Sequence, residues 1–466
     1  MNSTISNRVL TWQTSVIVGV VLAVLYSASP LFTLTLAGCG LLLLAAGRGL
    51  DPSEQRAVAV IVGVALAVRF LFIGAVLVGG IPFLNDLSVG ALRGDDAYYV
   101  GRAIRARDLA VGLTTGRYDF FITTDEYGRT SYLHLLTVLQ VLFGPTPYGM
   151  RAVNALLFVT GAVILFRLVR PAFGATASLC ALVVLLFLPS LLVSSVSLLK
   201  ESVYFLATVV LLMTVVMAVR RPRPATVIAG ALLGGLCLYV LDDLRRGALE
   251  LAIAGVAIGS AIPILFATRR RAAASTAAIA FAVIVTLMQP SLRARAVDAV
   301  TAAAKSHAGH VFTSGHAYKL LDEGFYAIPG TPAAWPLQLT DAQALRFVVR
   351  AVVSFVVTPW PWEMASLSEL MFFPEHVVWY LMVLFAPIGV VAGWQRDRRI
   401  TALLLGFVLP SAAALALTTG NVGTLLRLRG LVTPYLVWLA VLGLLSVAER
   451  LAATRPAPAL ATELGR

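Results

Sequence analysis

Charge is what this chain has least of. Asp, Glu, Lys and Arg together make up 13% of its 466 residues, whereas hydrophobic residues make up 59%. Soluble domains draw about a quarter of their residues from the charged types, so a soluble enzyme and a disordered scaffold are both excluded. Cysteine is nearly absent: Cys39, Cys180 and Cys237 are the only three. Each lies inside an apolar run and is expected to be unpaired, which excludes a secreted disulfide framework. No internal repeat is evident. Acidic residues are outnumbered 23 to 36 by basic ones, for a formal net charge of +13. That excess is read as loop charge that orients membrane helices, not as a nucleic-acid surface.

What the chain has instead is apolar runs of membrane-spanning length. They lie near 14–28, 31–47, 57–79, 150–168, 172–193, 202–219, 225–241, 248–267, 273–289, 376–393, 399–418 and 430–447. Twelve helices of about 20 residues, the length that crosses a bilayer, use roughly half the chain. Only Arg8 precedes the first run and a second follows at once, so 14–28 is expected to stay as an anchor. Two shorter stretches, 132–143 and 346–358, would each cover about 18–20 Å at 1.5 Å per residue, well under a hydrocarbon core of about 30 Å.

Basic residues decide how those short stretches are read. If neither crosses and the N-terminus is cytoplasmic, Arg167 and Arg170, the triplets Arg220/Arg221/Arg223 and Arg269/Arg270/Arg271, and the cluster Arg396/Arg398/Arg399 all face the cytoplasm, as the positive-inside rule requires. If 132–143 crossed, the triplets would face outward. The expected fold is therefore an all-α polytopic integral membrane protein of about twelve transmembrane helices, with both termini cytoplasmic and two outer-face loops carrying juxtamembrane helices. Its divisions are N-terminal spans (1–79), a first outer loop (80–149), a central bundle (150–289), a second outer loop (290–375), C-terminal spans (376–447) and a cytoplasmic tail (448–466). Chemistry is expected where the outer loops meet the helix ends.

The first outer loop carries Arg93-Gly94-Asp95-Asp96-Ala97-Tyr98-Tyr99. Two adjacent carboxylates at a membrane surface repel each other and are costly to desolvate. One reading is that Asp95 caps the helix that follows; the other is that it is a general base for an acceptor hydroxyl. Downstream, Tyr132 to Gly144 form a surface helix, and Arg151-Ala152-Val153-Asn154 open the next span. An arginine-rich turn ends in Phe173-Gly174, a return helix reaches Leu188-Pro189, and Ser197-Leu198-Leu199-Lys200-Glu201 follows. Lys200 and Glu201 also read as an interfacial pair whose lysine snorkels.

This order of elements resembles the GT-C superfamily of polyprenyl-phosphate-dependent glycosyltransferases, near the protein O-mannosyltransferases and the lipid A aminoarabinose transferases. The stretch Asn421 to Pro434, with Arg427-Leu428-Arg429, is similar to the Arg-x-Arg…Pro element that opens a late helix in such proteins. The resemblance covers about 80–210 and 415–450. It implies a plasma- or inner-membrane enzyme that moves a sugar from a polyprenyl-phosphate carrier to a glycan, lipid or protein acceptor on the non-cytoplasmic face. Asp95 matches the first acid of the family's pair, its general base. Asp96 matches the partner acid, more often Glu, and Glu201 falls where a second acid, usually Asp, is found. The chain departs from the family at Gly128-Arg129-Thr130-Ser131-Tyr132, which replaces the usual proline-rich start of the surface helix, and in its two extra spans before the acidic loop.

A sugar on a lipid phosphate already has a good leaving group, so the site needs a base for the acceptor and cations for the departing phosphate. Lys200, Arg129, Arg427 and Arg429 are the outer-face cations for that task, arginine because its planar fork binds two phosphate oxygens. Tyr98 and Tyr99 join them as candidate substrate contacts. Lipid head-group contact is the alternative for Arg427 and Arg429. Asp242-Asp243-Leu244-Arg245-Arg246 reads as a self-paired outer turn, and Gly234-Gly235 as close helix packing. His307, His310 and His316 read as loop histidines. Nothing fixes a metal-ligand geometry around them, so no metal ligand is assigned and no cofactor is required; a divalent metal stays open without residues behind it. Trp335, Trp360 and Trp362 read as interfacial anchors.

Two other readings stand beside the transferase. An O-antigen-type polymerase or ligase would use outer-face arginines and have no need of Asp95 and Asp96. A non-enzymatic lipid-linked sugar flippase would want charges at mid-membrane or matching broken helices. Arg69 is the main charge found within the spans.

Overall fold

The computed structural model describes residues 2–79, 96–113, 131–220, 223–313, 316–326, 338–364, 370 and 373–453. The chain begins with α1 (Asn2–Ala28), α2 (Pro30–Gly47), α3 (Pro52–Gly79), α4 (Asp96–Ala110), α5 (Ser131–Phe143) and α6 (Pro147–Phe173). It continues with α7 (Ala175–Phe187), α8 (Pro189–Val196), α9 (Glu201–Arg220), α10 (Pro224–Leu244), α11 (Ala248–Leu265) and α12 (Arg269–Met288). Then come α13 (Pro290–Val311), α14 (Asp341–Val357), α15 (Phe373–Arg396), α16 (Arg398–Thr418), α17 (Val422–Arg429) and α18 (Thr433–Ala453). Among the described residues the sole β feature is an isolated bridge between Ala317 and Asn421.

Ten of these helices are long and apolar enough to cross a membrane: α2, α3, α6, α9, α10, α11, α12, α15, α16 and α18. The α7–α8 pair makes an eleventh if counted as one span. This is a multi-pass membrane protein, with ten or eleven candidate spans among the described residues where about twelve are expected from the sequence. The run at 172–193 is not one straight helix. Pro189 lacks an amide hydrogen and restricts the residue before it, and the chain bends by 59° between Phe187 and Pro189. The first run lies in α1, whose apolar part, Trp12–Ser27, is shorter than the ten. The stretch at 132–143 is α5, 13 residues long and too short to span. Gly144 ends it in the left-handed region at φ +74°, where glycine carries no steric cost.

By contacts the chain divides into two compact units. The first holds residues 1–165, 191–214 and 223–249. Its core runs along α3 and α6, where Ile73, Ala155 and Val196 pack with Phe70, Phe72 and Tyr148. Phe32 of α2 meets Phe70 and Tyr148 edge-on, with ring centroids 5.5 and 4.6 Å away.

The second unit holds residues 166–190, 215–222 and 250–466. Its centre is α18, in which every residue from Thr433 to Gly443 is buried. Glycine lets α15 lie against it: a methyl group on Gly389 would fall 1.7 Å from the Leu439 carbonyl oxygen, and one on Gly443 would fall 2.1 Å from that of Phe385. Small residues permit such backbone approach in membranes. In the first unit Gly234 lies near Thr214, but Gly235 faces open space, so the expected packing role of this pair belongs to Gly234 alone.

The segment 290–375, expected as the second outer loop, also differs from expectation. Instead of a loop bearing histidines, residues 290–311 form α13, so His307 and His310 are helical and His307 is fully buried. Pro290 at the first turn and an alanine-rich sequence favour that helix, a signal that the basic residues and histidines obscured. α14 is entered through a capping box in which Thr340 and Gln343 satisfy each other's backbone amides. Its buried face of Ala344, Phe347 and Ala351 packs with Ala304, Leu320 and Leu339.

Candidate functional site at a buried connector

The first unit contains a buried connector, Ser197–Lys200, between α8 and α9. Ser195, Ser197 and Leu198 have no exposed surface and Lys200 is buried. Buried irregular backbone must find partners for its amides and carbonyls, and here side chains of α6 and α4 provide them, while α3 holds a neighbouring serine side chain. Arg69 of α3 donates from Nε to Ser195 Oγ (2.8 Å). Asn154 of α6 donates to the carbonyl of Ser197 (2.6 Å) and, more weakly, to that of Ser195 (3.4 Å). Arg151, one helical turn before Asn154 on the same face, donates from Nη1 to the Val196 carbonyl (3.2 Å). Asp96, the first residue of α4, accepts from the Leu198 amide (3.2 Å).

Asp96 also pairs with Arg151 Nη2. Its side chain is 2% exposed and that of Arg151 12%, so this pair is largely out of water. Desolvation lifts the Asp96 carboxyl above the usual carboxylate range, while Arg151 and the Leu198 amide pull it back. The brace ends where α9 begins. The Lys200 carbonyl accepts the first helical bond, from Tyr204 (2.9 Å), and Glu201 opens α9 as the acid of its first turn, where the helix dipole favours negative charge.

Aromatic rings flank the same place. Tyr99 of α4 is buried and sits edge-on to Tyr98 (5.2 Å) and to Tyr132 of α5 (5.3 Å). The Lys200 ammonium lies 5.7 Å from the Tyr99 ring centre, and Arg102 covers Tyr98 at 4.2 Å. Burial, and then the carboxylates of Asp96 and Glu201, hold the Tyr132 phenol far above its ordinary range. It stays a neutral hydroxyl at any working pH.

Asp96, Tyr98, Tyr99, Lys200 and Glu201, expected from the sequence as site residues, are thus gathered in one unit. Asp95 and Arg129 lie outside the described residues. Four side chains that sequence reasoning did not assign to the site complete it: Arg69, Arg151, Asn154 and Tyr132. Arg151 and Asn154 carried a faint signal as polar groups three apart at the head of an apolar span.

No family model, curated protein or solved structure matches the chain.

The two remaining candidates belong to the second unit. Arg429 is buried and spends its donors on backbone: Nε on the Phe355 carbonyl (3.1 Å), and Nη2 on the carbonyls of Phe355 and of Thr358 (2.6 Å). Its guanidinium lies 4.8 Å from the Trp379 ring centre. The expected phosphate contact is therefore corrected to a positioning role, holding the C-terminal end of α14. Arg427, two residues earlier on α17, is half-buried and stays a candidate cation. Asn421 caps α17 by accepting from the Thr424 amide (3.1 Å). Among the described residues no group of three or more His, Cys, Asp or Glu side chains is placed to hold a metal ion.

Proposed function

We propose that this protein is a membrane glycosyltransferase of GT-C type, transferring a sugar from a polyprenyl-phosphate donor to a glycan, lipid or protein acceptor on the non-cytoplasmic face. The observation that carries the reading is the meeting of two distant acidic elements. Asp96 accepts a hydrogen bond from the Leu198 amide, 102 residues away, beside Lys200 and Glu201 at the head of α9. Asp95 adjoins Asp96 in the chain, so a base there is tethered one residue from an anchored carboxylate.

In this reading the Asp95 carboxylate takes the proton of an acceptor hydroxyl. The acceptor oxygen bonds to the anomeric carbon while the bond from that carbon to the carrier phosphate breaks, and its electron pair leaves with the phosphate. Lys200 neutralises the charge that develops there, most effectively where water is excluded. Asp96, Arg151, Asn154 and Arg69 hold the connector that aims Lys200 and Glu201. The chemistry of a single displacement at an activated sugar asks for a base and a cation, which is what this centre offers.

The test is transfer itself. The full-length protein in lipid nanodiscs, given radiolabelled polyprenyl-phosphate sugars and membrane lipid or glycan acceptors, is expected to move label from carrier to acceptor. Intact donor after prolonged incubation with a broad set of sugars and acceptors would remove the proposal.

A further inference from the structure

Where α15 and α18 run side by side in the second unit, they touch through Gly389 and Gly443. One turn further toward their C-terminal ends they leave a cleft of about 320 Å³. Half-buried Ala392 and Ser446 form its floor, and Gln395, Arg396, Glu449 and Arg450 line it above them. These last four are all exposed, so the cleft is reached from outside. Helices α15 and α18 have 24 and 21 residues and are apolar enough to cross a membrane. At 1.5 Å per residue they measure about 36 and 32 Å, against a hydrocarbon core of about 30 Å. Their last turns therefore reach the depth of the lipid headgroups. The two arginines differ in what they already hold. Arg396 donates from Nη1 to the Phe173 carbonyl (2.7 Å), which fixes its guanidinium in place. Arg450 makes no hydrogen bond or ion pair among the described residues. A basic residue in a last turn can simply balance the helix dipole. That role calls for neither a cleft nor a second guanidinium held beside it.

We infer that this cleft seats the phosphate of a membrane phospholipid, gripped between Arg396 and Arg450. A guanidinium presents paired donors that match phosphate oxygens. Charge selects a diester: two guanidinium groups against the Glu449 carboxylate leave one positive charge in excess, which equals the single negative charge of a phosphodiester. Free inorganic phosphate, largely a dianion at neutral pH, is matched less well. Gln395 and Glu449 line the same cleft and can bond the hydroxyls or ammonium of the remaining headgroup. The inference is independent of the transferase reading. The site lies wholly within the second unit, and its lipid would fix the α15–α18 pair in the bilayer.

The test is lipid titration of the full-length protein, stripped of lipid in detergent and read by native mass spectrometry. The probes are phosphatidylglycerol, phosphatidylethanolamine, diacylglycerol (which lacks the phosphate) and inorganic phosphate. Wild type is expected to hold one copy of at least one phospholipid more tightly than diacylglycerol. Arg450→Gln should weaken that binding at least about tenfold, the loss of a charged hydrogen bond. Ala392→Leu fills the cleft but leaves both guanidinium groups, and it should weaken binding as well. Arg399→Gln removes an exposed arginine that does not line the cleft, and it should bind as wild type does. Equal loss in Arg399→Gln and Arg450→Gln would mean a diffuse attraction of basic residues for lipid and would overturn the seat. So would full binding in Arg450→Gln, whose exposed side chain is not needed for folding and which decides the matter if Ala392→Leu folds poorly. Binding of inorganic phosphate without phospholipid would overturn the lipid assignment.

Discussion

Arg151 pairs with Asp96, 55 residues before it, and holds the Val196 carbonyl, 45 residues after it. One guanidinium therefore ties α4 to the connector that leads to Lys200 and Glu201. A buried ion pair of this kind is costly to halve, because the surviving charge stays out of water. Arg151→Ala is expected to destabilise the protein by about 3–5 kcal/mol. The double variant Asp96→Ala/Arg151→Ala should recover part of that loss, since the stranded carboxylate is gone. Thermal or denaturant unfolding in detergent measures both; strictly additive losses would mean the two side chains do not act as a pair.

The two arginines of α17 are predicted to separate in one experiment. Arg429→Ala leaves the carbonyls of Phe355 and Thr358 without their donor, and charged hydrogen bonds of this type are worth about 1.5–3 kcal/mol each. Its melting temperature should fall along with its transfer rate. Arg427→Ala should slow transfer at nearly unchanged stability. Equal melting temperatures for wild type and Arg429→Ala would contradict the positioning role.

Glycine at the α15–α18 crossing is expected to be irreplaceable. Gly389→Ala puts a methyl group 1.7 Å from the Leu439 carbonyl oxygen, so the helices must part and core contacts are lost, at a cost of about 1–3 kcal/mol or more. Gly235→Ala, facing open space on α10, should be neutral or stabilising by up to about 1 kcal/mol through helix propensity. Yield and melting temperature of the two variants compare them directly.

His307 gives the second unit a pH dependence of known sign. Burial lowers its pKa from the ordinary 6.5 to about 4. A histidine that protonates more readily when unfolded contributes stability that is whole above pH 6.5 and is lost as pH falls from there through about 4, some 3 kcal/mol at most. The ring sits among Tyr318, Tyr326 and Phe347, so His307→Phe should fit the space and flatten the stability profile between pH 4 and 6.5. An unchanged profile would mean that other groups carry the acid sensitivity.

How much of this was legible in the sequence follows from what each feature depends on. Spans announce themselves by composition, and ten candidate spans fall on the apolar runs, while the run at 172–193 is broken at Gly174 and Leu188. The break at Leu188–Pro189 was visible as a proline but was read as a helix end, because whether a chain bends or stops there depends on what receives it. α13 was misread because its charged residues and histidines masked its alanine content. In the centre, Asp96, Lys200 and Glu201 were marked by charge in an apolar chain. Arg151, Asn154 and Tyr132 were not, since their importance comes from contacts made across about 33 to 55 residues, which no local spacing records. Arg429 shows the converse: an exposed-looking loop arginine in the sequence is a buried support in the fold.

The proposed mechanism has the Asp95 carboxylate, next in sequence to Asp96, deprotonate the acceptor, and Asp95→Asn tests it most directly. The variant keeps the size and polarity of the side chain but cannot accept the proton. Single-turnover transfer should slow by about 10²–10⁴-fold, with binding of the polyprenyl-phosphate donor and the melting temperature unchanged. Transfer at the wild-type rate in a folded Asp95→Asn protein would contradict the mechanism.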